Sequence, residues 1–125
     1  MNQKIVFIKL TFVAAILFSA TCFISCEKYT YDPPKLDPNV LISFQNDIAS
    51  IFTGNCTSCH GGAIDPDLRE GKAFNSLTNG GYLNTANPES SRLYQQVVSS
   101  GHSSRTSDIQ KQKILAWIKQ GALNN

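Results

Sequence analysis

Five consecutive residues, Cys56-Thr57-Ser58-Cys59-His60, bring two thiols and an imidazole within about one turn of chain. Two thiols three positions apart can add across the two vinyl groups of a single haem while the chain winds through a helical turn. The residue that follows then aims its imidazole at the iron from one face, the usual way a protein holds haem iron. The spacing is that of a c-type haem attachment site. Haem c is the expected cofactor, with Cys56 and Cys59 as its thioether carriers and His60 as the proximal iron ligand.

Three other chemistries draw on the same residue types. A redox-active Cys-x-x-Cys pair needs a preceding strand in a βαβ context, whereas the residues before Cys56 read as helix. A structural zinc ion needs four ligands, and the sequence from Cys26 onward offers Cys26, Cys56, Cys59, His60 and His102. Adjacent Cys59 and His60 are poorly placed to serve one tetrahedral ion. A disulfide between Cys56 and Cys59 stays open in an oxidising compartment.

The elements that must position these residues are helical. Phe44, Ile48, Ile51 and Phe52 fall at i, i+4, i+7 and i+8, the stripe of an amphipathic helix, with Ser43 as N-cap and Gly54 as its stop. A short helix is expected over Glu70 to Leu77, broken by Asn79-Gly80-Gly81. Asn87-Pro88-Glu89 reads as the start of a third, with Leu93, Tyr94, Val97 and Val98 as its apolar side. Ser107 and Gln110 form a capping box for a last helix that buries Ile114, Leu115, Trp117 and Ile118 and ends at Gly121. No segment alternates with period two between hairpin turns, so the class is all-α with about four helices. A haem domain of this size has a marginal core of its own, and a covalently held macrocycle adds apolar bulk to it.

Composition sets the compartment and the partners. The chain has 125 residues, 42% of them apolar and 16% charged, which excludes a disordered or collagen-like protein. Lys4 and Lys9 are followed by 17 uncharged residues, Leu10 to Cys26, giving a basic region, an apolar region and small residues near its end. That reads as an export signal over residues 1–25, an uncleaved membrane anchor being the other reading of the run. Phe23-Ile24-Ser25-Cys26 resembles a bacterial lipobox, whose cysteine becomes the acylated first residue of the mature chain; cleavage before Cys22 is the rival. Acyl chains on Cys26 would tether the protein to a membrane. Residues 26–39 hold three of the five prolines and read as an extended tether, leaving residues 40–125 as the domain. Only Lys4 and Lys9 of the 11 basic residues precede residue 26, and none of the nine acids does. The remainder therefore has no net charge, so a nucleic-acid partner is not expected. Export favours haem among the chemistries above, because covalent haem attachment belongs outside the bacterial cytoplasm.

From about Val40 to Ala122 the chain resembles the small single-haem cytochrome c domains of bacterial envelope proteins. The resemblance rests on Ile51-Phe52 leading into Asn55-Cys56-Thr57-Ser58-Cys59-His60-Gly61-Gly62, on Ser90-Ser91-Arg92-Leu93-Tyr94, and on Ile114-Leu115-Ala116-Trp117-Ile118-Lys119-Gln120-Gly121-Ala122. It implies a cytochrome c-like fold, with first and last helices beside the haem and a distal ligand on the loop before the last helix. That loop commonly supplies a methionine, but the only methionine here is Met1, in the leader. The loop from Ser99 to Thr106 instead holds His102, the candidate distal ligand. The alternatives are a solvated His102 with five-coordinate or water-bound iron, or ligation by a lysine or an amino terminus. Bis-histidine ligation implies a lower reduction potential than methionine ligation gives. In a supporting role, Pro66 or the carbonyl before it is placed to accept from His60 Nδ1. Arg69, Lys72, Arg92 and Arg105 are candidate partners of the haem propionates, or ordinary surface cations.

The function expected is electron transfer, without enzymatic activity, by a lipid-tethered mono-haem cytochrome c in the cell envelope, periplasmic or associated with the outer membrane. Its partners would be redox proteins of the envelope. The alternative is a haem with an open or labile sixth position that binds small gaseous ligands or acts as a weak peroxidase. A non-haem structural or zinc-binding lipoprotein is a third class.

Overall fold

Ser43 begins the first helix with extended backbone, and its hydroxyl accepts from the Asn46 amide while its own N–H donates to Asp47. The structure, a computed structural model, describes residues 3, 8, 9 and 30–125. The chain divides into two units, Met1–Asp32 and Pro33–Asn125, and the second carries every element described below. Its first turn, Phe44–Ile48, is π-helical and runs directly into α1, Ala49–Asn55. Phe44, Ile48, Ile51 and Phe52 form the buried stripe that their spacing predicts. Gly54 does not stop this helix, which closes one residue beyond Asn55 at Cys56. Nothing lies within 4 Å of where a Gly54 side chain would start, so no local geometry demands glycine there.

The second helix, α2, is Ala73–Asn79, with Ala73 and Leu77 buried. It begins later than its sequence suggests because Gly71 takes φ +70°, outside the helical region. The Asn87-Pro88 signal yields only a 3-10 turn, Pro88–Ser90, and Asn87 makes no side-chain cap. The helix proper, α3, is Arg92–Val98. Ser91 separates the two: buried, it accepts from the Asn84 amide at 2.8 Å and donates to the Asn84 carbonyl at 3.2 Å. That pairing accompanies the extended ψ of 131° at which the turn ends.

A second 3-10 turn, Ser103–Arg105, leads to α4, Asp108–Lys119, whose start carries both halves of the Ser107–Gln110 capping box. Gly121, at φ +97°, ends the helical path. Among the described residues there is no strand, so the fold is all-α. Four short helices surround one core in which Trp117, Ile114, Ile118, Ile48 and Leu77 are fully enclosed. Phe44 joins α4 to the first turn, its ring 5.2 Å from that of Trp117 and 5.2 Å from Phe74 of α2. Lys113 to Asp47, at 2.7 Å, and Asn55 to Gln110, at 3.2 Å, tie α4 to the same region.

The Pro-rich segment expected as a free tether to residue 39 is fastened to α4 from Pro34 onward. Gln112 accepts from Leu36 N–H and donates to the Pro34 carbonyl, both at 2.8 Å. Gln120 repeats the pattern on Ile42 N–H, at 2.9 Å, and the Val40 carbonyl, at 2.8 Å. Each amide thus satisfies an extended backbone as a neighbouring strand would. The expected leader, and with it Cys22 and the lipidation candidate Cys26, lies outside the described residues apart from three positions. Among the described residues no helix is long and apolar enough to cross a membrane.

Candidate functional site

Where α1 ends, the chain does not straighten. Cys56 N–H donates to the Phe52 carbonyl at 2.8 Å, Cys59 N–H to Cys56 at 3.1 Å, and His60 N–H to Cys56 at 2.9 Å. The sequence from Cys56 to His60 is therefore wound into a further hydrogen-bonded turn, and Cys56, Cys59 and His60 all line one cavity of about 310 Å³. That volume lies at the lower end of the range of about 300–1,000 Å³ usual for sites that take a small organic ligand. Neither cysteine is in a disulfide. Cys56 is half-buried, which pushes its thiol pKa up, while the Arg105 guanidinium acts to lower it. Cys59 is exposed.

His60 Nδ1 lies 3.2 Å from the Pro66 carbonyl and 3.3 Å from that of Ile64. A carbonyl can only accept, so these contacts hold the proton on Nδ1 and leave the Nε2 lone pair free to bind a metal. Of the two acceptors anticipated around Pro66, its own carbonyl is the one used. Leu68 N–H donates to the His60 carbonyl at 2.8 Å, which closes the loop over the ring.

On the other side, His102 lies in a loop held by hydrogen bonds from His102 and Ser103 N–H to the Ser99 carbonyl, at 3.0 and 2.8 Å. It also lines the cavity, and its ring centre is 6.4 Å from that of His60, with the ring planes 39° apart. Two imidazoles bonded to one metal from opposite sides, at about 2.0–2.1 Å per bond, have ring centres about 6.3–6.5 Å apart. The spacing thus suits a single ion held between them. Among the described residues no cluster of three or more His, Cys, Asp or Glu side chains could hold a bare ion. The donor set fits a metal that brings its remaining ligands with it, as haem does.

The walls suit the same group. Phe52, Leu68, Tyr82, Leu93, Val97 and Ile114 supply apolar surface from α1, α3, α4 and the connecting loops. Of the four cations considered for the propionates, Arg92 and Arg105 line the cavity and Arg69 and Lys72 do not. Arg69 is committed to Asp67 at 2.7 Å, which holds that carboxyl down to about 2. Arg92 stacks over the Tyr82 ring at 4.5 Å. Among the wall residues that escaped the sequence reading are Tyr82 and Thr106. Tyr82 follows the Gly80-Gly81 break with no periodic pattern to mark it, and Thr106 directly precedes the capping Ser107. Thr106 is only 7% exposed, and its hydroxyl is buried without a hydrogen-bond partner among the described residues. Local sequence carries no signal for either position, because both reach the cavity through loop paths.

Compared with known proteins, the chain matches no family, no curated protein and no solved structure.

Proposed function

We propose that this chain is a mono-haem c-type cytochrome domain that transfers single electrons, carried at the cell envelope by an acylated Cys26. The observation that carries the reading is the pair of imidazoles, His60 and His102, with ring centres 6.4 Å apart in the wall of a cavity that Cys56 and Cys59 also line. In this reading Cys56 and Cys59 hold the macrocycle through thioethers, and His60 and His102 bind its iron. Bound in this way, haem supplies a one-electron couple whose potential follows its axial ligands.

The protein's own part is to hold and to exclude. The Pro66 and Ile64 carbonyls fix the His60 tautomer and ring orientation, so that its coordinating nitrogen does not wander. The Ser99 carbonyl, taking two N–H groups, fixes the backbone from which His102 projects. Were His60 and His102 both to bind the iron, no position would be left for a substrate, which favours a carrier over an enzyme. Phe52, Leu68 and Ile114 keep water from the cavity's inner wall. Redox proteins of the envelope are the partners this function requires.

The test is carbon monoxide added to reduced, matured, full-length protein whose intact mass carries one haem. Slow or negligible binding is expected. Rapid, stoichiometric binding would overturn the six-coordinate carrier and leave a small-ligand binder, and a chain whose mass carries no haem would overturn both.

A further inference from the structure

The segment that Gln112 and Gln120 fasten presents apolar side chains to the outside. Ile42 is buried, so along this extended stretch the side chain before it points outward, and Leu41 is 82% exposed. Leu123 is 60% exposed and Val40 40%. Hydrogen bonds bring the three together. Gln120 holds the backbone on either side of Leu41, through the Val40 carbonyl and Ile42 N–H. Asn125 accepts from Phe44 N–H through its side chain and from Gln45 N–H through its carbonyl, both at 2.9 Å. Leu123 is thus carried between two points at which residues 120–125 are stitched to residues 40–45.

Exposed leucines are ordinary when scattered singly over a surface. These lie on the segment that leads back to Cys26. Pro34 is fastened to α4 and stands eight positions from Cys26. A chain of that length spans at most about 26–29 Å, less than the diameter of about 30 Å of a small domain. A domain so held cannot turn far from the surface that anchors Cys26. We propose that Val40, Leu41 and Leu123 form a docking face for the lipid bilayer in which an acylated Cys26 is anchored. The inference rests on the acylation in the proposed function and not on the haem. The anchor makes docking intramolecular, at high effective concentration, so a small apolar contact suffices. The cavity then faces away from lipid. About 18 Å of helix, from Phe44 to Asn55, separates it from the docking face. Ile114, which lines the cavity, lies about 160° from Gln112 and about 120° from Gln120 around α4. A redox partner would meet the cavity from the aqueous side.

The experiment uses the matured protein in phosphatidylcholine vesicles, beside the same mature chain in solution without acyl groups, made as Cys26→Ser behind a leader that is cleaved. A cysteine is introduced by Leu41→Cys, by Leu123→Cys or, next to the His60 ring and 55% exposed, by Ile64→Cys. Its modification by a charged, membrane-impermeant maleimide is timed by peptide mass at that residue, and intact mass counts the acyl groups. Leu41→Cys and Leu123→Cys should react about tenfold more slowly in vesicles than in solution, which corresponds to a face docked about nine-tenths of the time. Ile64→Cys should react at one rate in both, and its unreacted fraction counts the domains sealed inside vesicles. Equal rates in vesicles and in solution at positions 41 and 123 overturn the docking face, as does equal slowing at position 64. Slowing in solution that grows with protein concentration overturns it in favour of a second copy of the chain. Wild-type protein whose mass carries no acyl group overturns the anchor, and the docking face with it.

Discussion

Replacing Gln120 by Ala should cost clearly more stability than replacing Gln112 by Ala, although each removes two side-chain hydrogen bonds to the same extended segment. Gln120 Oε1 accepts from Ile42 N–H, and Ile42 is 2% exposed. Without the acceptor, that amide is buried and unpaired, at a cost of about 1–3 kcal/mol. The Val40 carbonyl, its second partner, belongs to an exposed residue and can turn to water. Gln112 serves Leu36, which is half-buried, and Pro34, which is exposed, so water replaces much of what is lost. A loss of about 0.5–1 kcal/mol is expected there, offset by a few tenths because Ala is the better helix former inside α4. In a domain of this size each kcal/mol moves Tm by about 4–8 °C. At a central value of about 2 kcal/mol, Gln120→Ala should lower Tm by about 8–16 °C, and Gln112→Ala by no more than about half of that. Far-UV circular dichroism on haem-loaded protein measures both, and amide hydrogen exchange at Ile42 reports the bond directly. Equal losses in the two variants, or an Ile42 amide that exchanges freely in the wild type, would refute the reasoning that burial of one N–H sets the difference.

Three further outcomes are expected. Gly54→Ala should raise the urea midpoint by the equivalent of about 0.5–1 kcal/mol, because the position lies in the last turn of α1, which continues past it to Cys56, with open space around it; a lower midpoint would show that glycine is required. The hydrogen bond from Lys113 is the leading influence holding the Asp47 carboxyl below its ordinary 3.8, against a smaller opposing effect of burial. The folded value is the depressed one, so the stabilisation is present above 3.8 and is lost as pH falls through the folded value. Asp47→Asn should therefore flatten part of the acid limb in urea midpoints measured on either side of 3.8, and an unchanged limb would remove the pair as its cause. Finally, His102→Ala should turn a low-spin optical spectrum into a high-spin or mixed one, and an unaltered spectrum would dismiss His102 as a ligand.

Much of the helical framework was legible because it depends on neighbours in the chain. The Ser107–Gln110 capping box and the stripe Phe44, Ile48, Ile51 and Phe52 are patterns within two turns, and both are found as read. The misreadings lie where a distant group outweighs local preference. Asn87-Pro88-Glu89 has the chemistry of a helix start, yet the Asn84 backbone holds Ser91 extended and the helix waits until Arg92. The segment from Pro34 looked like a spacer because, apart from a local turn in which Asn39 and Val40 donate to Asp37, its own residues form little with one another. What fastens it is a pair of glutamines more than seventy positions away.

The site divides along the same line. Thiols three residues apart with an imidazole next to them are a covalent fact of the chain, as is the lack of any methionine besides Met1, so the proposed attachment chemistry and the interest in His102 rest on residue order. Residue order could not bring His60 and His102 to 6.4 Å, choose Arg92 and Arg105 over Arg69 and Lys72 as cavity cations, or leave the Thr106 hydroxyl buried without a partner. Those depend on where α3, α4 and the loop between them come to rest against α1. Packing of Phe44, Trp117 and Ile114 fixes that placement, because close-packed side chains far apart in sequence admit few arrangements and local propensity says nothing about which one they take.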